Sequence, residues 1–264
     1  MCSSDLPEIV AANASLGLAV LEDLGDAVYA RVIEGGGDEA PLYDAAVDVL
    51  VSLHNAPPPP PVLAGGWPLL DYDELALKTA GSFFVEWLPK LIPTLSFSDQ
   101  ARADWDALWA PIRARGAAGA SVFCHRDYHA ENLLWLPDRG GIQRVGLLDF
   151  QDALRAHPAW DLSMLLHDAR RQVTPERESA VLNRYLQARP ALDPEAFRAD
   201  YQALGALNIV RILGKFARLI ARDSKPRYAD FMPRMWGYLD RCLLGPAPAG
   251  LAQWLAAHAP AECR

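Results

Sequence analysis

Between residues 120 and 152 three short apolar runs meet polar clusters at their ends. "ASVFC" leads straight into "HRDYHAEN". "LLWLP" follows, then "DRGG", then "RVGLLDF" running into Gln151 and Asp152. Apolar runs this short, bounded by turn residues, read as buried strands rather than helices. The Asp-Arg-Gly-Gly stretch reverses the chain. The result is a hairpin whose open end carries Asn132 on one strand and Asp149 on the other, with Asp127 on the loop just before. The flanking sequence has helical periodicity. Residues 38–55 place Leu42, Ala46, Val47, Leu50 and Leu53 on one face behind a cap at Asp38. Helical patterns also cover 71–89, 98–115, 161–172, 175–188, 194–222, 227–243 and 249–257. Two short strands are expected within residues 8–22, before "LEDLGD". The proline run 57–61 ends the first long helix as a stiff spacer. These elements make an α+β, helix-rich chain with a small β insert that holds the polar residues.

The insert suits phosphoryl transfer. That chemistry needs two hard oxygen ligands for Mg2+ and a separate carboxylate to orient the attacking hydroxyl and take its proton. Asp127, Asn132 and Asp149 supply these groups. The formal charge of −8, with no basic stripe, argues against nucleic acid and against an anionic membrane surface. No unbroken apolar run of about 18 residues is present to span a bilayer. The N-terminal decapeptide has acidic residues and no basic region, unlike a secretory signal. Cys2, Cys124, Cys242 and Cys263 are scattered, which fits reduced thiols in a cytoplasm and no zinc site.

"HRDYHAEN" followed by "LLDFQD" resembles the catalytic and metal loops of kinase-like folds, with Gln151 where protein kinases have glycine. That difference points to the aminoglycoside phosphotransferase-like superfamily. "LEDLGD", "CHRDYHAENLLWLP", "VGLLDFQDALRAHPAWDLSMLLHDAR" and "LGKFARLIARDSKPRYADFMPR" are similar to bacterial N-acetylmuramate/N-acetylglucosamine anomeric kinases of cell-wall recycling, from Pro7 onward. The resemblance implies a protein-kinase-like α+β fold, mostly the helical C-lobe with a remnant of the N-lobe sheet. It implies ATP and Mg2+ as cofactors and a sugar as acceptor. Asp127 is then the catalytic base and His125 braces its loop. Asn132 and Asp149 bind the metal. The backbone of Leu21, Glu22, Asp23 and Leu24 forms the nucleotide hinge. Asp161 anchors the catalytic loop, while His129 and Asp152 face the acceptor.

Other readings of the same residues stay open. Asp161 before "LSMLL" has the pattern of a helix N-cap. Lys215, Arg218, Arg222, Lys225 and Arg227 form either a solvated helix face or a contact to an acidic sugar or phosphate. Alternating His125, Asp127 and His129 would suit a hydrolytic metal pair, which needs further clustered histidines. The acceptor alternatives are an aminoglycoside or another small alcohol, and a non-catalytic kinase-like binding fragment is a further possibility. Residues 1–6 read as an assembly scar, 7–26 as N-lobe strands and hinge, and 27–264 as the C-lobe. On this division the chain is an N-terminally truncated fragment, expected to be weakly active or inactive.

Overall fold

A computed structural model describes residues 6–57, 59–63, 66–245 and 250–261. Most of the expected scar, residues 1–5, lies outside them, as do Cys2, Pro58, Cys263 and the first residue of the expected helix 249–257.

The chain opens with an antiparallel hairpin, β1 (Ile9–Asn13) and β2 (Leu18–Leu21), turned at Gly17 with φ +64°. Every residue of both strands is exposed. A short helix α1 (Tyr29–Glu34), which the sequence did not announce, leads to α2 (Glu39–Asn55). The Asp38 carboxylate caps α2 by accepting from Ala40 N at 3.0 Å, as expected. Helices α3 (Glu74–Leu91) and α4 (Asp99–Ala118) follow, each capped by the side chain before it, Asp73 and Ser98. Such caps satisfy N–H groups that have no partner within the helix.

The β insert comes next: β3 (Val122–Cys124), β4 (Leu133–Trp135), β5 (Val145–Leu147) and β6 (Leu154–Ala156). Strands β4 and β5 make the expected hairpin, with Leu133 opposite Leu147. Strand β6 was not expected, and it pairs antiparallel with β3. The C-terminal half is helical: α5 (Ala159–Leu166), α6 (Pro175–Gln187), α7 (Pro194–Ala221), α8 (Met232–Leu243) and α9 (Leu251–His258).

Two helix boundaries depart from expectation. The helix expected over 161–172 spans only Ala159–Leu166. Asp168 lies just beyond it, and its Oδ1 accepts from Arg170 N at 2.9 Å while Oδ2 accepts from Ala130 N at 3.3 Å. A side chain that captures nearby N–H groups in this way competes with helix continuation. The segment expected as one helix over 227–243 begins as a 3-10 turn, Pro226–Phe231, and becomes α-helical at Met232.

Helix α7 is the spine, buried along most of its length from Ala203 to Ala217, and its most extensive helix contact is with α3. A Cβ on Gly214 would lie 2.3 Å from the carbonyl carbon of Phe83 and 2.5 Å from Phe84 N. The backbones of α3 and α7 therefore touch at a point that only glycine permits. Replacing Gly214 with Ala is expected to cost about 1–3 kcal/mol through overpacking. Urea unfolding would read this as a lower midpoint, and an unchanged midpoint would contradict the contact.

Candidate functional site

The polar loops sit between two ribbons, β3–β6 and β4–β5. Beyond Cys124 the next two backbone N–H groups turn inward. His125 N donates to Asp161 Oδ2 at 2.6 Å, and Arg126 N donates to Asp161 Oδ1 at 2.8 Å. Cys124 Sγ also donates to Oδ1, at 3.1 Å. Asp161 is fully buried, and burial raises its carboxyl above the usual aspartate range while the surrounding donors oppose the rise. It lies inside α5, whose N-cap is Pro158, so the N-cap reading of Asp161 does not hold. Its partners come from the loop after β3, across the fold. Arg126 takes φ +75°, the left-handed region that costs a non-glycine residue about 1–3 kcal/mol and recurs at functional sites. The Asp161 carboxylate holds both sides of that bend.

His125 is buried, and its Nε2 donates to Leu148 O at 2.9 Å, linking the first polar loop to the second just before Asp149. Tyr128, also buried, fixes the first loop to α2 by donating to Ala46 O at 2.8 Å. Asn132 Nδ2 donates to Asp127 O at 2.9 Å, and Leu148 N donates to Asn132 O at 3.0 Å. These bonds bring Asp127, Asn132 and the start of the second loop together. Asp149 follows with φ +61°, exposed, its Oδ1 accepting from Gln151 Nε2 at 2.6 Å.

The donor set fits a magnesium ion. Because Asn132 engages Asp127 through its amide nitrogen, its oxygen is left to face a cation. Asp149 retains a carboxylate oxygen on an exposed turn. One amide oxygen and one carboxylate suffice for an ion that keeps water and phosphate ligands. No group of three or more His, Cys, Asp or Glu among the described residues is arranged to hold a metal. The alternating His125, Asp127 and His129 therefore do not make, among the described residues, the cluster a hydrolytic pair needs.

The Asp127 carboxylate is half exposed and opens on a cavity of about 170 Å³ between the first loop, the turn after α5, and α7. His129 lines this cavity, with Nε2 4.0 Å from Asp127 Oδ1. Burial lowers the imidazole pKa, which favours its neutral form. Asp152 lies outside the cavity, exposed and 3.7 Å from Arg126. Glu131 pairs with Arg170 at 2.6 Å. The cavity also takes in Asp168, Arg211, Phe216 and Tyr228, which sequence reasoning did not single out. Its aromatic lining is Phe216 and Tyr228, and no tryptophan takes part.

The hinge segment leaves β2 at Leu21. Glu22 N donates to Glu8 O at 2.8 Å, and Arg139 pairs with the Glu22 carboxylate at 2.6 Å. Leu24 is buried over the hairpin, where a Cβ on Gly146 would lie 2.8 Å from Leu24 Cδ1. Gly146 thus lets the hinge close onto β5. The N–H groups of Asp23 and Leu24 make no hydrogen bond among the described residues.

Comparison with known proteins gives three convergent likenesses. A model of the phosphotransferase enzyme family matches residues 4–199. A N-acetylmuramate/N-acetylglucosamine kinase of Caulobacter vibrioides is 64% identical over 98% of this chain and 71% of its own length. The protein of that name from Pseudomonas aeruginosa is 30% identical over 95% of this chain and 72% of its own. Among solved structures, a choline/ethanolamine kinase family protein from Mesorhizobium loti superposes with a TM-score of 0.55 at 17% identity, covering 95% of this chain and 77% of that one. At that identity the likeness is one of fold, and the fold is the kinase-like α+β arrangement expected from the motifs. No helix of the described residues is long and apolar enough to cross a membrane.

Proposed function

Because the chain belongs to the phosphotransferase enzyme family, we propose that it transfers the γ-phosphoryl group of ATP to the anomeric hydroxyl of an amino sugar of the N-acetylglucosamine and N-acetylmuramate type. The observation that carries this reading is the hydrogen-bonded chain from Asp127 through Asn132 to the loop of Asp149, beside a cavity into which the Asp127 carboxylate opens. Asp127 accepts the proton of the attacking hydroxyl, which has to sit within hydrogen-bond reach of its carboxylate. Asn132 and Asp149 would hold the metal by their oxygens, and a magnesium ion held there would supply charge neutralisation to the phosphates. His125 and Asp161 set the two loops in register, and the free N–H groups of Asp23 and Leu24 meet the adenine edge. His129, neutral and on the cavity wall, orients the acceptor. Asp152 positions Arg126 near the rim. Residues 7–26 act as N-lobe strands and hinge, and residues 27–264 as the C-lobe.

A cytoplasmic role in cell-wall recycling follows from the same reading, since the relatives' sugars are building blocks of that polymer.

The test uses purified chain, ATP, magnesium and each sugar. Anomeric phosphorylation removes the reducing end, so a reducing-sugar assay falls in step with ADP release. Phosphorylation at any other hydroxyl leaves the reducing end intact. Chelating the metal with EDTA is expected to abolish both signals, and added magnesium to restore them. ADP release without loss of reducing ends would refute the anomeric position.

A further inference from the structure

The wall of the cavity facing Asp127 carries two cations that form no ion pair among the described residues. Arg211, on α7, is only 5% exposed. Its Nε and Nη2 donate to Asn208 Oδ1 at 2.9 and 2.7 Å, Nη2 lies 3.6 Å from Met164 Sδ, and the guanidinium sits 5.7 Å from the Trp160 ring centroid. All of these partners are neutral. No carboxylate among the described residues forms an ion pair with Arg211. Lys215 lies one helical turn further along α7 and lines the same cavity. Its ammonium makes no hydrogen bond or ion pair among the described residues.

The Asp127 carboxylate acts on Lys215 from across the cavity, but against the larger positive charge of Arg211, with Arg126 and Arg218 adding to it. Asp168 takes the N–H groups of Ala130 and Arg170, and Glu131 pairs with Arg170. Two like charges four residues apart on a helix repel. A buried charge that lacks its counter-ion costs free energy. Arg211, then burial, lower the Lys215 pKa to about 8, which records the same excess of positive charge. Beside these cations the cavity wall is apolar, with Phe216, Tyr228 and Ile212. Such a site suits a ligand with an apolar or ring-shaped body and one anionic arm.

We propose that Arg211 and Lys215 form a carboxylate subsite in the acceptor cavity, which selects an amino sugar bearing an acidic substituent over its neutral counterpart. This rests on the reading of the acceptor as an amino sugar. The subsite lies on the α7 side of Asp127, away from the metal ligands, so the sugar's anionic arm and its reacting hydroxyl approach Asp127 from different directions. Arg211 is the fixed member, held by Asn208 and Trp160. Lys215, with no hydrogen bond or ion pair among the described residues, is the better target for substitution.

The probes are N-acetylmuramate and N-acetylglucosamine, which differ by one O-lactyl group carrying the carboxylate. Each is titrated calorimetrically into the full chain, with and without magnesium and a non-hydrolysable ATP analogue. The comparison covers wild type, Lys215→Gln and Lys215→Arg. Wild type is expected to bind the acidic sugar more tightly. Lys215→Gln is expected to shrink that preference by about 10- to 100-fold, the scale of one charge-assisted hydrogen bond. Lys215→Arg is expected to restore most of it, which a merely structural role for the side chain would not predict. Equal wild-type affinity for the two sugars overturns the subsite, as does a Lys215→Gln variant with an unchanged preference. If Lys215→Gln instead lowers kcat equally for both sugars and leaves the binding ratio intact, Lys215 serves the transferring phosphoryl group and the subsite is overturned. A wild type that binds neither sugar removes the amino-sugar reading itself, and the subsite falls with it.

Discussion

The Asp127→Asn variant is expected to lose about 10²- to 10⁴-fold in kcat, the usual contribution of a positioned general base. The substitution is nearly isosteric. The loop is held by bonds that do not involve the Asp127 carboxylate: Asn132 Nδ2 to Asp127 O, Tyr128 to Ala46, and Asp161 to the N–H groups of His125 and Arg126. The fold should therefore survive, with affinity for a non-hydrolysable ATP analogue and for the sugar within a few-fold of wild type. What the amide cannot do is accept the hydroxyl proton. His129 is not placed to take over, because its Nε2 is 4.0 Å from Asp127 Oδ1, on the wall rather than beyond it. Steady-state kinetics with both substrates varied, together with calorimetry, separate the two effects. A loss of less than tenfold in kcat would remove Asp127 from the role of proton acceptor.

The second large effect is on stability. Asp161→Ala strips the partner from two N–H groups at the mouth of β3, and His125 and Asp161 are both essentially inaccessible to solvent. A buried donor left without an acceptor costs about 1–3 kcal/mol, so the pair amounts to about 2–6 kcal/mol. The left-handed turn at Arg126 adds to the loss, since its cost is borne only while both flanking N–H groups are held. By the usual scaling for a chain of this size, the melting temperature drops by about 4–24 °C. Asp161→Asn retains one acceptor oxygen for two donors and should fall between Ala and wild type. Urea unfolding of the three proteins gives the order directly. Equal stability of wild type and Asp161→Ala would mean that the bonds into the loop contribute nothing, against the geometry.

Much of this site was legible in the sequence because its polar residues sit where apolar runs stop. The turn "DRGG" fixed the hairpin, and the alternation of β4 and β5 then placed Asn132 opposite the residue before Asp149. Helix faces such as Leu42–Leu50 and the cap at Asp38 followed from period and chemistry alone. The features that escaped are those whose partners are distant. Strand β6 is three residues with Arg155 in the middle, and it exists because β3 offers it a ladder and Asp71 an ion pair. Asp161 has the local pattern of a cap, but its bonds go 35 and 36 residues back along the chain. Arg211 hides within an apolar stretch of α7 that reads as core, and only the cavity shows that its charge lies beside Lys215. The end of α5 depends on Asp168 reaching back to Ala130, a bond that no window of neighbouring residues contains.

The loop bearing Asp127 leaves β3 and enters β4, and the loop bearing Asp149 leaves β5 and enters β6. Since β3 pairs with β6 and β4 with β5, the chain spans one gap twice, in opposite directions, between the same two supports. Breathing of one ribbon against the other therefore carries both crossings along in concert, like two rungs fixed to the same rails. Residues 127 and 149 are thereby tied to both ribbons at once, so that a shift of either ribbon acts on the two crossings together.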